Sequence, residues 1–74
     1  MYADQLKNEQ TARVLLLKHS KEKKERLTVM GICKNAIIRY HGTTLFRDPL
    51  LFEVDETLLA IRRKDARLIE VELL

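Results

Sequence analysis

The sequence predicts a mainly β fold: a small, partly open five-stranded barrel with one helix between its first and second strands. Three observations carry this. Five stretches alternate apolar and polar residues at a period of two. A charged stretch after the first of them has capping signals at both ends. The chain is 74 residues long, and a sheet of short strands in so small a domain hides its edges best by curling on itself.

The first strand is Thr11 to Lys18, TARVLLLK, with Ala12, Val14 and Leu16 on one side and Arg13, Leu15 and Leu17 on the other. The helix follows, with Ser20 placed to cap its free N–H groups and Gly31 able to take the left-handed conformation that ends it. Leu27 and Met30 are expected to face the barrel, with Ile32 touching Leu27 as the apolar contact of a Schellman ending. A second strand alternates through Ala36, Ile38 and Tyr40, broken by the loop His41-Gly42-Thr43-Thr44. Pro49 lacks a backbone donor and suits the approach to a third strand, Leu50 to Val54. Asp55-Glu56 joins it to Thr57–Arg62 as a hairpin, with Glu56 an unusual turn residue. One helical turn, Arg63 to Ala66, precedes the last strand, which ends at Leu73.

One domain, residues 1–74, accounts for the whole chain. A domain of this size buries only about 60–65% of its unfolded surface, leaving no room for a deep substrate cleft. An enzyme is therefore not expected. Hydrophobic residues make up 46% and charged residues 34%, a globular composition rather than a disordered one. The single cysteine, Cys33, forms no internal disulfide and fits a reducing, cytoplasmic setting. Charged residues interrupt every apolar stretch, so no membrane helix is expected, and Met1-Tyr2-Ala3-Asp4-Gln5 does not open like a signal peptide. The net charge of +3 permits contact with an anionic surface without requiring it.

Leu6-Lys7, Ala12-Arg13-Val14, Arg26-Leu27, Met30-Gly31-Ile32, Ile38, Tyr40 and Asp48-Pro49-Leu50 follow one another along the chain, and Leu59-Ala60-Ile61-Arg62, Lys64-Asp65-Ala66 and Ile69-Glu70-Val71 continue the series. In order and spacing, these residues resemble the ferrous-iron transport protein A (FeoA) family of small SH3-like β-barrels. A similar barrel ends iron-dependent repressors, but the stand-alone form matches better. Lys34-Asn35 replaces the family's usual Pro-Gly, and Glu9 and Glu56 stand where glycines are common. The resemblance implies a cytoplasmic accessory of a FeoB-type membrane ferrous-iron transporter. It would act by protein contact, reach the membrane only through that partner, and catalyse no reaction. Self-association is compatible with it.

His19, Cys33 and His41 are ligand types, but they lack the short paired spacings of a metal site, so no metal or cofactor is expected. The run Lys21 to Arg26 mixes signs as a solvated helix face does. Its rival reading is a small basic nucleic-acid-binding barrel, for which stacking aromatics are few: Tyr2, Tyr40, Phe46 and Phe52. No nucleic-acid partner is expected. The apolar residues left over outside the barrel are Leu15, Leu17, Ile37, Leu51, Leu58 and Leu68, a surplus that points to a protein partner. The expected contact surface is bordered by Leu15, Leu17, Arg26, Leu27, Val29 and Met30.

Overall fold

The computed structural model describes all 74 residues. Strands β1 (Thr11–Leu17), β2 (Ile37–Thr43), β3 (Leu50–Val54), β4 (Thr57–Ile61) and β5 (Ile69–Leu73) form one antiparallel sheet in the order β4-β3-β2-β1-β5. Helix α1 (Lys21–Val29) lies between β1 and β2, and the single turn α2 (Arg63–Ala66) joins β4 to β5. The end strands β4 and β5 do not pair with each other, so the curled sheet stays open along that seam. Ala12, Val14, Ile38, Phe52, Val54, Ile61, Ile69 and Val71 point inward as the alternation requires. Tyr40 and Leu59 pack partly buried against this core, and the Tyr40 and Phe52 rings lie 5.5 Å apart.

The local signals act as read. Ser20 Oγ accepts from the Lys23 N–H. At the other end Gly31 adopts φ +99°, its N–H donating to the Thr28 carbonyl and that of Ile32 to Leu27, at 3.0 and 2.9 Å. That bond pair is the Schellman ending, and Leu27 and Ile32 are both buried beside it. Asp55 and Glu56 both have positive φ, 49° and 66°, the geometry of a tight two-residue hairpin turn. Asn35 and Glu9 also occupy the left-handed region, at 74° and 70°.

Three expectations are corrected. Leu16 was expected inside and Leu17 outside, yet Leu16 is 48% exposed and Leu17 only 8%. The pairing of β1 with β5 shifts between Val14 and Leu16, so Leu15 is an extra residue, and a bulge reverses which side later residues face. Met30 is not buried against the barrel as Leu27 is; it follows the last turn of α1 and stays 38% exposed at the rim of the space between α1 and β4. The second strand does not stop at Tyr40 but runs to Thr43. A register shift between Tyr40 and Thr43 takes up one residue on β2, where Gly42 has φ +97°.

Residues Met1 to Gln10 carry a structure that periodicity did not suggest. A 3-10 turn (Ala3–Gln5) buries Ala3, and Leu6 enters the core just after it. The preceding residues run along the outer edge of β5. The Val71 N–H donates to the Met1 carbonyl at 2.8 Å, and Tyr2 bridges to Glu70.

Candidate functional site

Helix α1 rests against the barrel through one buried side chain, Leu27, and leaves a groove on each flank. On the first flank, Lys23, Arg26, Leu27 and Met30 face Ala60, Ile61 and Arg62 from β4 and its end. Lys64 and Asp65 of α2 close a volume of about 230 Å³. This is below the roughly 300–1,000 Å³ of small-molecule sites and suits one or two inserted side chains of a protein.

Electrostatics give this groove its character. Four of its side chains are cationic and one, Asp65, is a carboxylate. Asp65 is already engaged by Lys23 Nζ at 2.8 Å, while its carbonyl accepts from His19 Nε2 at 2.7 Å. These bonds tie α2 to the start of α1 and leave the buried His19 Nδ1 without a partner. Arg26 makes only a surface pair with Glu22 at 3.6 Å, and Arg62 and Lys64 appear in none of the seven ion pairs. The result is an apolar floor with a cationic rim.

The second groove, about 190 Å³, runs between β1 and the other flank of α1. Leu15, Leu16 and Leu17 meet Lys24, Thr28, Cys33 and Lys34 there. The bulge at Leu15 is what brings three consecutive leucines to one groove.

The six residues expected to border a contact surface therefore gather around α1, but in two different roles. Arg26, Val29 and Met30 are exposed, Val29 at 89%, and Leu15 is half-buried in the second groove. Leu17 and Leu27 are core residues: the bulge turns Leu17 inward, and Leu27 is the one buried side chain of α1. Sequence reasoning missed Lys23, one turn before Arg26 on α1, and Ala60, Arg62, Lys64 and Asp65, which reach the groove from β4, its end and α2, far along the chain. The cluster Arg62-Arg63-Lys64 was the available signal. The other surplus apolar residues form no continuous patch, because Ile37 pairs with Arg13, and Leu58 with Glu53, which faces Arg39. Leu45 and Phe46 are exposed at the tip of the β2–β3 loop. That loop is tied to α2, where Asp48 Oδ1 and the Arg47 carbonyl accept from Arg63 at 2.9 and 2.8 Å.

The ligand-type residues are scattered. Cys33 is a partly buried loop thiol, and His19 lies against α2. His41 faces Glu53 through Nε2 at 2.7 Å and Glu9 through Nδ1 at 3.2 Å. The two carboxylates thus sit on opposite sides of the ring and do not converge. No three His, Cys, Asp or Glu side chains come together as a metal-holding group, and no helix is long and apolar enough to cross a membrane.

Comparisons with known proteins agree with this architecture. Residues 1–73 match the FeoA domain. No curated protein matches the chain. Among solved structures, a FeoA protein from Chlorobium tepidum is 26% identical with a TM-score of 0.93, over all of this chain and 70% of that one. Iron(II) transport protein A from Clostridium thermocellum is 28% identical with a TM-score of 0.93, over all of this chain but only 46% of its own length. A Stenotrophomonas maltophilia FeoA complexed with zinc, described as a prokaryotic SH3 domain protein, is 25% identical with a TM-score of 0.78, over 97% of this chain and 89% of that one. With a five-stranded SH3-like sheet and a domain match across nearly its whole length, the chain belongs to the FeoA family of small proteins related to ferrous-iron transport.

Proposed function

We propose that the chain is a cytosolic accessory of bacterial ferrous-iron transport that docks on the cytosolic part of a FeoB-type membrane transporter and catalyses no reaction of its own. Family membership supplies the transport context. The observation that carries the docking reading is the groove between α1 and β4, with its apolar floor and two cations, Arg62 and Lys64, that have no ion-pair partner. Buried apolar anchors supply most of the affinity of a protein interface, and a charged rim sets association rate and specificity. Arg26, Val29 and Met30 border the contact, with Leu15 on the opposite flank, and Leu17 and Leu27 hold these elements in place.

Retention on membranes that contain the transporter tests this reading. The wild-type chain is expected to be retained, and the doubly substituted Val29→Asp, Met30→Asp chain is expected to lose retention while keeping its unfolding transition, because both residues are exposed. Retention of the double variant at wild-type strength would move the contact away from α1. A wild-type chain that is not retained would remove the transporter from the account.

A further inference from the structure

The register of the β3–β4 hairpin decides which way each backbone group of β4 points. The two-residue turn makes Val54 and Thr57 a hydrogen-bonded pair, and such pairs alternate along an antiparallel ladder. Thr57, Leu59 and Ile61 therefore direct their N–H and C=O groups to β3. Leu58 and Ala60 direct theirs outward, where no turn, loop or helix backbone group meets them.

This edge also lacks what usually keeps an edge strand from pairing. Charged side chains, prolines and bulges serve that purpose in natural sheets. Here the strand reads Thr57-Leu58-Leu59-Ala60-Ile61, uncharged, without proline and regular in register. The side chains of Leu58, 57% exposed, and Ala60 lie open on one face. Opposite charges flank the strand: Asp55 and Glu56 before it, Arg62 after it. None of these three takes part in an ion pair within the chain.

We infer that β4 is a dimerisation seam at which a second copy of this chain adds its own β4, antiparallel, across a twofold axis at Leu59. In that register Leu58 of one copy lies opposite Ala60 of the other, and each pair exchanges both N–H···O bonds. Glu56 then lies opposite Arg62 of the other copy, and the symmetry repeats that pair at the far end of the seam. An acidic strand from another protein would satisfy Arg62 but meet Glu56 with like charge. A second copy supplies the complement at both ends, which is why it is the occupant chosen. The seam is only one short strand wide, so the dimer is weak, in the class of contacts below about 1,200 Å². This inference does not depend on the transporter reading.

Sedimentation equilibrium of the whole chain over a concentration series up to about 1 mM, the range of weak association, tests the seam. The wild type is expected to rise from its monomer mass of 8.7 kDa toward twice that value. Arg62→Glu sets like charges opposite each other at both ends and is expected to raise the dissociation constant about tenfold or more, diminishing at high salt. Adding Glu56→Arg to that variant reverses both pairs and is expected to restore most of the loss. Ala60→Pro deletes an outward N–H while leaving the β3 bonds of Leu59 and Ile61, and is expected to abolish the dimer with the unfolding transition retained. If Ala60→Pro unfolds the domain, the charge swap alone decides. A monomer at every concentration, a dimer as tight after Ala60→Pro as before, or a double variant no tighter than the single one would overturn the seam. So would a monomeric wild type whose Leu58 and Ala60 amides become protected only when an acidic peptide or anionic vesicles are added.

Discussion

The two edges of the sheet meet their surroundings in opposite ways. Along β5 the chain's own N-terminal segment takes up the free backbone groups. Val71 exchanges hydrogen bonds with Met1, Tyr2 bridges to Glu70, and Ala3 and Leu6 fill the space beneath. Lys18 fastens the cover, since its ammonium donates to the Tyr2 hydroxyl and pairs with Glu70 at 3.2 Å. Along β4 nothing comparable occurs, and the outward groups of Leu58 and Ala60 face solvent. A small barrel whose end strands β4 and β5 do not pair with each other has two edges to protect, and this one protects only β5. The exposed edge adjoins the cationic groove, through Ala60 and Arg62.

The covered side breaks most severely from β1. Leu17 is buried opposite Ile69 of β5, so Leu17→Asp would bury an unpaired charge. We expect it to cost more than about 4 kcal/mol and leave the domain unfolded in a denaturant titration. Leu16→Asp, one residue away on the outer side of the bulge, and Leu58→Asp on the open edge are expected to stay within about 0.5 kcal/mol of wild type. Equal effects at Leu16 and Leu17 would disprove the bulge.

The N-terminal cover itself is probed by Leu6→Ala, which empties a buried site and is expected to lower stability by about 2–4 kcal/mol. A loss below about 1 kcal/mol would mean that the segment lies on the sheet without contributing to its core. On the open side, Glu56→Gly relieves left-handed backbone strain and is expected to stabilise the monomer by about 0.5 kcal/mol while weakening the dimer. Glu9→Gly relieves the same kind of strain but loses the contact with His41 at 3.2 Å, so its net effect is expected to be closer to zero.

The smallest effect belongs to Lys18. Hydrogen bonds to Tyr2 first and Glu70 second raise its pKa above the usual 10.5. A raised folded-state pKa stabilises the fold fully below the unfolded value, and the contribution is lost as pH climbs through the folded value. The stability difference between wild type and Lys18→Met should stay constant from neutral pH up to about 10 and shrink beyond 10.5. Denaturant midpoints across that range measure it. A difference that grows at high pH would contradict the contact.

What was legible in the sequence was local. Period-two alternation located all five strands, Ser20 and Gly31 bounded α1 with its Schellman ending, and Asp55-Glu56 marked the hairpin. The bulge at Leu15 left no mark, because three consecutive leucines read equally well in either register, and only pairing with β5 selects one. The cover over β5 was hidden because Met1 to Gln10 has no periodicity and acts through backbone bonds to residues about seventy positions away. The contact surface was half legible. Arg26, Val29 and Met30 belong to one helix end and could be read together, whereas Arg62 and Lys64 join them only after the sheet has curled.

Amide hydrogen exchange on the dilute chain tests the contrast between the edges most directly. Protection is expected to alternate along β4, with Leu59 and Ile61 protected by β3 and Leu58 and Ala60 exchanging near the rate of unprotected amides, while Val71 on the opposite edge stays protected by Met1. Protection of Leu58 and Ala60 in the monomer, or free exchange at Val71, would contradict it.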